Sequence, residues 1–253
     1  MKRFVILLLL IFISTPAFAT IDIVPQKIVI QQRERSAEFT ILNLYNQRGT
    51  FRVELLNYEQ QEDGIYKILD HPLNNDFTPS DVVRFSPRQF SLEPGGRQKI
   101  RLSLRKPGDL PEGEYRFHVK TSRFANETER AENQENVMVM MNTAVVIPVI
   151  VRHGNVNGDA TIKAATLNSN GDKVKVTIER TGSASTIGKL DVISKKNNKE
   201  KKIGMISNAN IFEEINSRTF EIPLKTKATG SLIIRYSDDV HKGKIFDEMP
   251  VTF

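Results

Sequence analysis

Three observations predict an all-β chain built as two sandwich domains. Apolar and polar residues alternate with period two over most of the chain after residue 20. Turn dipeptides interrupt that alternation at short intervals, and no window keeps a helical period for more than a turn or two. Period two with β-branched and aromatic residues is the signature of a half-buried strand. Short strands punctuated this regularly form antiparallel sandwiches.

The first segment sets the compartment. MKRFVILLLLIFISTPAFA places Lys2 and Arg3 before an apolar run and closes on Ala17-Phe18-Ala19. That is the layout of a secretory signal peptide with a small-x-small cleavage site. The apolar run 4–13 is too short to span a bilayer. Residues 1-19 are therefore expected to be removed, leaving an exported chain with no stable membrane insertion.

The strands follow in order. Ile21, Ile23, Ile28 and Ile30 alternate with polar neighbours, as do segments 36–43, 50–55, 99–104 and 114–119. Asp63-Gly64, Pro94-Gly95-Gly96, Pro107-Gly108 and Pro111-Glu112-Gly113 mark turns between them. The pattern breaks at Arg152-His153-Gly154-Asn155-Val156-Asn157-Gly158, where no apolar period survives. A hinge there divides residues 20-153 from residues 154-253. A second strand series then runs through 173–178, 189–193, 219–224, 231–236 and 250–253. Two immunoglobulin-like sandwiches of about a hundred residues each follow, joined by a short hinge.

Composition and motifs exclude several functions. The chain has no cysteine, so disulfides, thiol catalysis and thiolate metal sites are ruled out. Its four histidines, His71, His118, His153 and His241, stand in neither HExxH nor HxH spacing. His118 falls on the polar phase of a strand and reads as a surface histidine. No GxSxG and no phosphate-binding glycine loop occurs. A non-enzymatic protein without cofactor or metal is expected. The formal net charge of +6 falls to +4 once Lys2 and Arg3 are removed. The cations are scattered among acids and not interleaved with aromatics, which excludes nucleic acid as a partner. The densest run, KKNNKEKK at 195–202, reads as a solvated loop between strands.

One stretch departs from the pattern. VMVMMNTAVVIPVIVRHG, residues 137–154, is apolar on both alternating faces over its first half. Val137, Val139 and Met141 lie on one side, Met138 and Met140 on the other. Asn142, Thr143 and Pro148 interrupt it, so it is not a membrane span. Val, Ile and Met favour a strand, and Pro148 places an edge or a bulge at its position. Either the strand is central and covered on both faces by its own protein, or it is an edge whose second face meets a partner.

Larger blocks of sequence bear on that choice. VRFSPRQFSLEPGGRQKIRL (83–102), GEYRFHV (113–119), the 137–154 run, NSRTFEIPL (216–224) and GSLIIRY (230–236) together resemble the PapD-like periplasmic chaperones of the chaperone–usher pathway. EGEYRFHV and IPVIVRHG are similar to the divergent, archaic branch. The resemblance implies a chaperone whose G1 strand, here the 137–154 run, is lent to pilus subunits that lack their last strand. The partners it implies are fimbrial subunits and an outer-membrane usher, and the location is the periplasm. It assigns Val137, Val139, Met141 and Thr143 to the subunit-facing phase, with Met138 and Met140 exchanging roles if the register slips by one. Family members hold the subunit's terminal carboxylate with two cations in the cleft between domains. Lys27 matches the first position, but Pro148 occupies the second, so Arg116 and Arg152 are the candidate replacements. A two-domain exported adhesin or a structural pilus protein is the alternative. The segment 20–30 is too short to be both a donor extension and a first strand, which favours the chaperone.

Overall fold

The computed structural model describes residues 21–74, 76–124, 143–196, 199–228, 230–241 and 243–251. The expected signal peptide and donor residues Val137, Met138, Val139, Met140 and Met141 lie outside them. The architecture is all-β, two successive sandwiches, with one helical turn, α1 (Pro79–Val82), in the first. No helix among the described residues is long and apolar enough to cross a membrane.

The first sandwich contains β1 (Ile21–Val24), β2 (Ile28–Ile30), β3 (Ser36–Asn43), β4 (Gly49–Gln60), β5 (Tyr66–Leu69), β6 (Val83–Ser86), β7 (Gln89–Leu92), β8 (Arg97–Leu104), β9 (Gly113–Phe124) and β10 (Ala144–His153). One sheet has the order β1-β3-β8-β6. The other runs β2-β10-β9-β4-β5, with β7 added to β4. Alternation determines which side chains meet. Phe39 and Ile41 from one sheet and Phe51, Val53, Tyr115, Phe117, Val119, Ile147 and Val149 from the other fill a single core.

The second sandwich contains β11 (Gly158–Leu167), β12 (Lys173–Gly182), β13 (Gly188–Lys196), β14 (Lys199–Ile206), β15 (Ser217–Pro223), β16 (Ser231–Asp238) and β17 (Ile245–Val251). Its sheets have the orders β11-β12-β15 and β14-β13-β16-β17. Val174, Val176, Ile178, Leu190, Val192, Phe220, Ile222, Ile234 and Tyr236 form its core. The lysine-rich run 195–202 differs from the expected loop. β13 continues to Lys196 and β14 begins at Lys199, with Lys195 opposite Glu200 and Lys196 opposite Lys199. Ladder pairing outweighs the weak strand propensity of lysine.

A third, smaller cluster joins the two sandwiches. Ile150 of β10 meets Ile187 and Phe212 of the second domain, with Val29 and Val240 packed against them.

Candidate functional site: a free strand edge and the cleft beside it

β10 pairs with β9 along its whole length, from Ala144 opposite Ser122 to His153 opposite Gly113. On its other side β2 pairs in parallel, but only from Val149 to Val151. Residues 144–148 therefore present an edge with no strand partner among the described residues. Pro148 is the last residue of that edge, a place where its missing N–H costs no ladder bond to a neighbouring strand of the protein. Odd-numbered residues of β10 face the core: Ile147, Val149 and Val151 are buried, and Val145 packs against them. Thr143 shares that parity, and its hydroxyl accepts a hydrogen bond from Tyr45 Oη at 3.1 Å.

Even-numbered residues face the second domain. β9 is buried on both faces from Glu114 to Val119, one face by the core and the other across the cleft. His118 accordingly is not a surface residue. Its ring lies edge-on to Tyr58 at 5.0 Å and to Tyr66 at 5.9 Å between centroids, and only 3% of it is exposed. Desolvation, with the Arg116 charge adding to it, pushes its pKa down to about 3. Desolvation also raises the Tyr66 phenol.

The three cations singled out from the sequence all sit at the domain boundary, and each already holds a carboxylate. Arg116 donates from Nη1 to Glu214 Oε2 at 2.9 Å and from Nη2 to the Tyr58 carbonyl at 2.9 Å. It also pairs through Nη2 with Glu214 Oε1 and lies 3.8 Å over the Phe212 ring. Arg152 donates to Glu114 at 3.0 Å and to the Ser185 carbonyl at 3.0 Å, while the Ser185 hydroxyl donates to the same Glu114. Lys27 pairs with Asp239 at 2.6 Å and reaches Asn208 Oδ1 at 3.3 Å. Gln60 completes the seam. Its Oε1 accepts from the Phe212 backbone N–H at 2.9 Å, and its own backbone N–H donates to Glu214 Oε1 at 2.6 Å. β9 and β10 run antiparallel and place Arg116 opposite Ile150 and Arg152 opposite Glu114. The two guanidinium groups thus share a face but serve different acids.

Between these ion pairs and the free edge lies a cavity of about 350 Å³. Gln26, Tyr58, Tyr66, His118, Val146 and Pro148 line it from the first domain, and Asn208, Asn210 and Arg218 from the second. Arg218 was not among the residues the sequence singled out. It is one cation in a period-two strand, and nothing local separates it from a solvated residue. Its Nη1 donates to the Asn210 carbonyl at 2.9 Å, and the guanidinium lies 4.6 Å over Phe220. Gly64, at φ +86°, turns the β4–β5 hairpin beneath it, and a Cβ there would come within 2.5 Å of Arg218 Nη2. No carboxylate pairs with Arg218 among the described residues. Those residues also contain no cluster of His, Cys, Asp or Glu able to hold a metal ion.

No protein-family model matches the chain, and no curated protein is similar to it. Several solved structures are. A chain of the Salmonella enterica SafA pilin–SafB chaperone complex is 13% identical, with a TM-score of 0.49 over 95% of this chain and 99% of that one. The Escherichia coli chaperone DraB is 13% identical, with a TM-score of 0.48 over 93% and 97%. A chain of the CsuC–CsuE chaperone–tip adhesion subunit complex, from the archaic chaperone–usher Csu pili of Acinetobacter baumannii, is 12% identical, with a TM-score of 0.46 over 92% and 99%.

Proposed function

We propose that this protein is a non-enzymatic periplasmic chaperone that lends a strand to pilus subunits and passes them to an outer-membrane usher. The observation that carries the reading is the edge at residues 144–148, free on one side and closed by β2 from Val149 onward. An exposed edge pairs readily with another chain, and proteins normally blunt it with charge. Here the residues leading into it, VMVMMNTAVV, carry none. A client sandwich that lacks its last strand would gain main-chain hydrogen bonds from this edge and side chains for its open core.

Parity gives the geometry. Val137, Val139 and Met141 share the odd phase of Thr143, Val145 and Ile147, so the row that fills this protein's core continues into the client's groove. Removal of apolar area from water at about 25 cal/mol per Å² makes several such side chains worth several kcal/mol before ordering costs. Methionine suits the task because its flexible thioether fits grooves of different shape. The likeness of the sequence blocks to PapD-like chaperones and the signal peptide that resembles an export leader support the same reading.

The test is recovery of a co-expressed pilus subunit. Met141→Asp is expected to abolish recovery while the free chaperone keeps its thermal transition. Unchanged recovery with Val137, Val139 and Met141 each replaced by aspartate would overturn the strand-lending reading.

A further inference from the structure

The net positive charge of the protein gathers at one end of the second sandwich. β13 leaves the domain seam at Gly188, next to Ile187 of the small apolar cluster, and its nine residues reach Lys196 about 25 Å away. The hairpin turns there, and β14 starts back at Lys199. Two further segments meet the same end. Ser231 stands opposite Lys195, so the loop before β16 arrives beside the hairpin. Within that loop the Leu224 N–H donates to the Asp172 carbonyl at 2.8 Å and the Ala228 N–H to the Gly171 carbonyl at 3.3 Å. Segments 168–173, 195–201 and 224–228 thus form one pole, remote from the seam. They hold seven lysines and two acids, Asp172 and Glu200. Lys173, Lys195, Lys199, Lys201, Lys225 and Lys227 are exposed. The excess of five charges is larger than the +4 of residues 20–253 as a whole, so the rest of the molecule is close to neutral.

This pole is built against local preference. Lysine is a weak strand former, and Lys196 stands directly opposite Lys199, an apposition of like charges that destabilises a ladder. A charge or two suffices to keep an edge strand from pairing. Here Lys202 is tied to Asp191 at 2.8 Å, and Lys195, Lys199 and Lys201 pair with no acid among the described residues. The chemistry of the pole selects its partner. Every cation on it is lysine, a hydrated point charge, and none is arginine, whose planar fork fits a carboxylate on a folded protein. None of the large apolar side chains exposed among the described residues lies on the three segments, so the pole lacks the anchor of a protein interface. Flexible point charges without an apolar anchor match a fluid layer of anionic headgroups. We propose that the lysine pole of the second sandwich docks the protein peripherally, without insertion, on an anionic phospholipid bilayer. Because the pole is remote from the seam, docking leaves the edge at residues 144–148 uncovered. The inference is independent of the strand-lending reading.

The experiment is co-sedimentation of residues 20–253 with vesicles of phosphatidylcholine mixed with phosphatidylglycerol, and with vesicles of phosphatidylcholine alone. Binding to the anionic vesicles only is expected at about 0.1 M salt, and its loss at about 1 M, where the Debye length has fallen from about 10 Å to about 3 Å. A lysine near such a surface is worth about fivefold in affinity, so Lys195→Gln/Lys199→Gln/Lys201→Gln should weaken binding about a hundredfold and Lys225→Gln/Lys227→Gln about twentyfold. Arg84→Gln/Arg97→Gln/Arg101→Gln removes the same charge from an exposed row of the first sandwich and should leave binding nearly unchanged. Each variant is compared at an unshifted thermal transition, and the loop pair tests the pole without touching the hairpin. No binding to the anionic vesicles, equal binding to the neutral ones, or equal losses in the lysine and arginine triple variants overturns the proposal. Displacement of the protein from the vesicles by soluble polyglutamate of lower charge concentration would assign the pole to an acidic protein and overturn it as well.

Discussion

His118 carries the sharpest single-residue consequence of the cleft. Its strand neighbours gave it the polar phase, and the groups that bury it come from β4, from β5 and from residues about ninety to a hundred positions later. No local pattern can announce such a cover. Its pKa of about 3 in the fold lies below the unfolded value of about 6.5. As pH falls past about 6.5 the unfolded chain takes a proton that the folded chain refuses, so stability drops until about pH 3. Between about pH 7.5 and about pH 5 the loss from this residue is about 2 kcal/mol. Glu213, pushed up to about 7 by desolvation and the nearby Glu114, works in the opposite sense over part of this range. The measurement is therefore a difference. His118→Phe keeps a ring between Tyr58 and Tyr66, and subtracting its pH–stability profile from that of the wild type should leave a slope that rises with pH. A flat difference would mean that His118 titrates in the fold as it does in the open chain. The three cations at the domain boundary are equally hard to read from a window of sequence. Lys27 finds Asp239 across 212 positions, a pairing invisible to any window of sequence.

At the scale of elements, legibility followed the strength of alternation. β3 spans the same residues, 36–43, that period two marked out, and its Phe39 and Ile41 are buried as that phase requires. β5 was not found, because Tyr66, Lys67 and Ile68 are all exposed and show no contrast between faces. β14 was hidden by its lysines. β10 was legible as a strand, and Pro148 as a marker of an edge or a bulge, but the reason for the edge was not. It depends on β2 ending its claim at Val149, which is a fact of pairing. Period two also yields a prediction for the segment before β10. If the odd row enters the client, Val139→Asp and Met141→Asp should abolish subunit recovery, while Met138→Asp and Met140→Asp should leave most of it. The reverse pattern would show that the register is shifted by one residue.

The whole molecule depends on a narrow apolar plug ringed by ion pairs. Phe212 packs on Ile150 and Ile187 and lies under the Arg116 guanidinium, so it ties β10 to the second domain. Phe212→Ala should destabilise the protein by about 3–5 kcal/mol and separate its unfolding into two calorimetric transitions. A single unshifted transition would mean that the seam is incidental. The plug and its polar ring come from loops distant in sequence, so no local run of residues announces them. Both domains are needed for the cleft, and the free edge of β10 leads into it. The central claim is that this edge is completed by a client strand. Amide hydrogen exchange of the protein, alone and in complex with a co-expressed pilus subunit, tests it most directly. In the complex, amides of residues 143–147 that face away from β9 should slow by about a hundredfold or more, while those of β3, in the opposite sheet of the same sandwich, stay unchanged. A stable complex in which these edge amides exchange as fast as in the free protein would contradict the account.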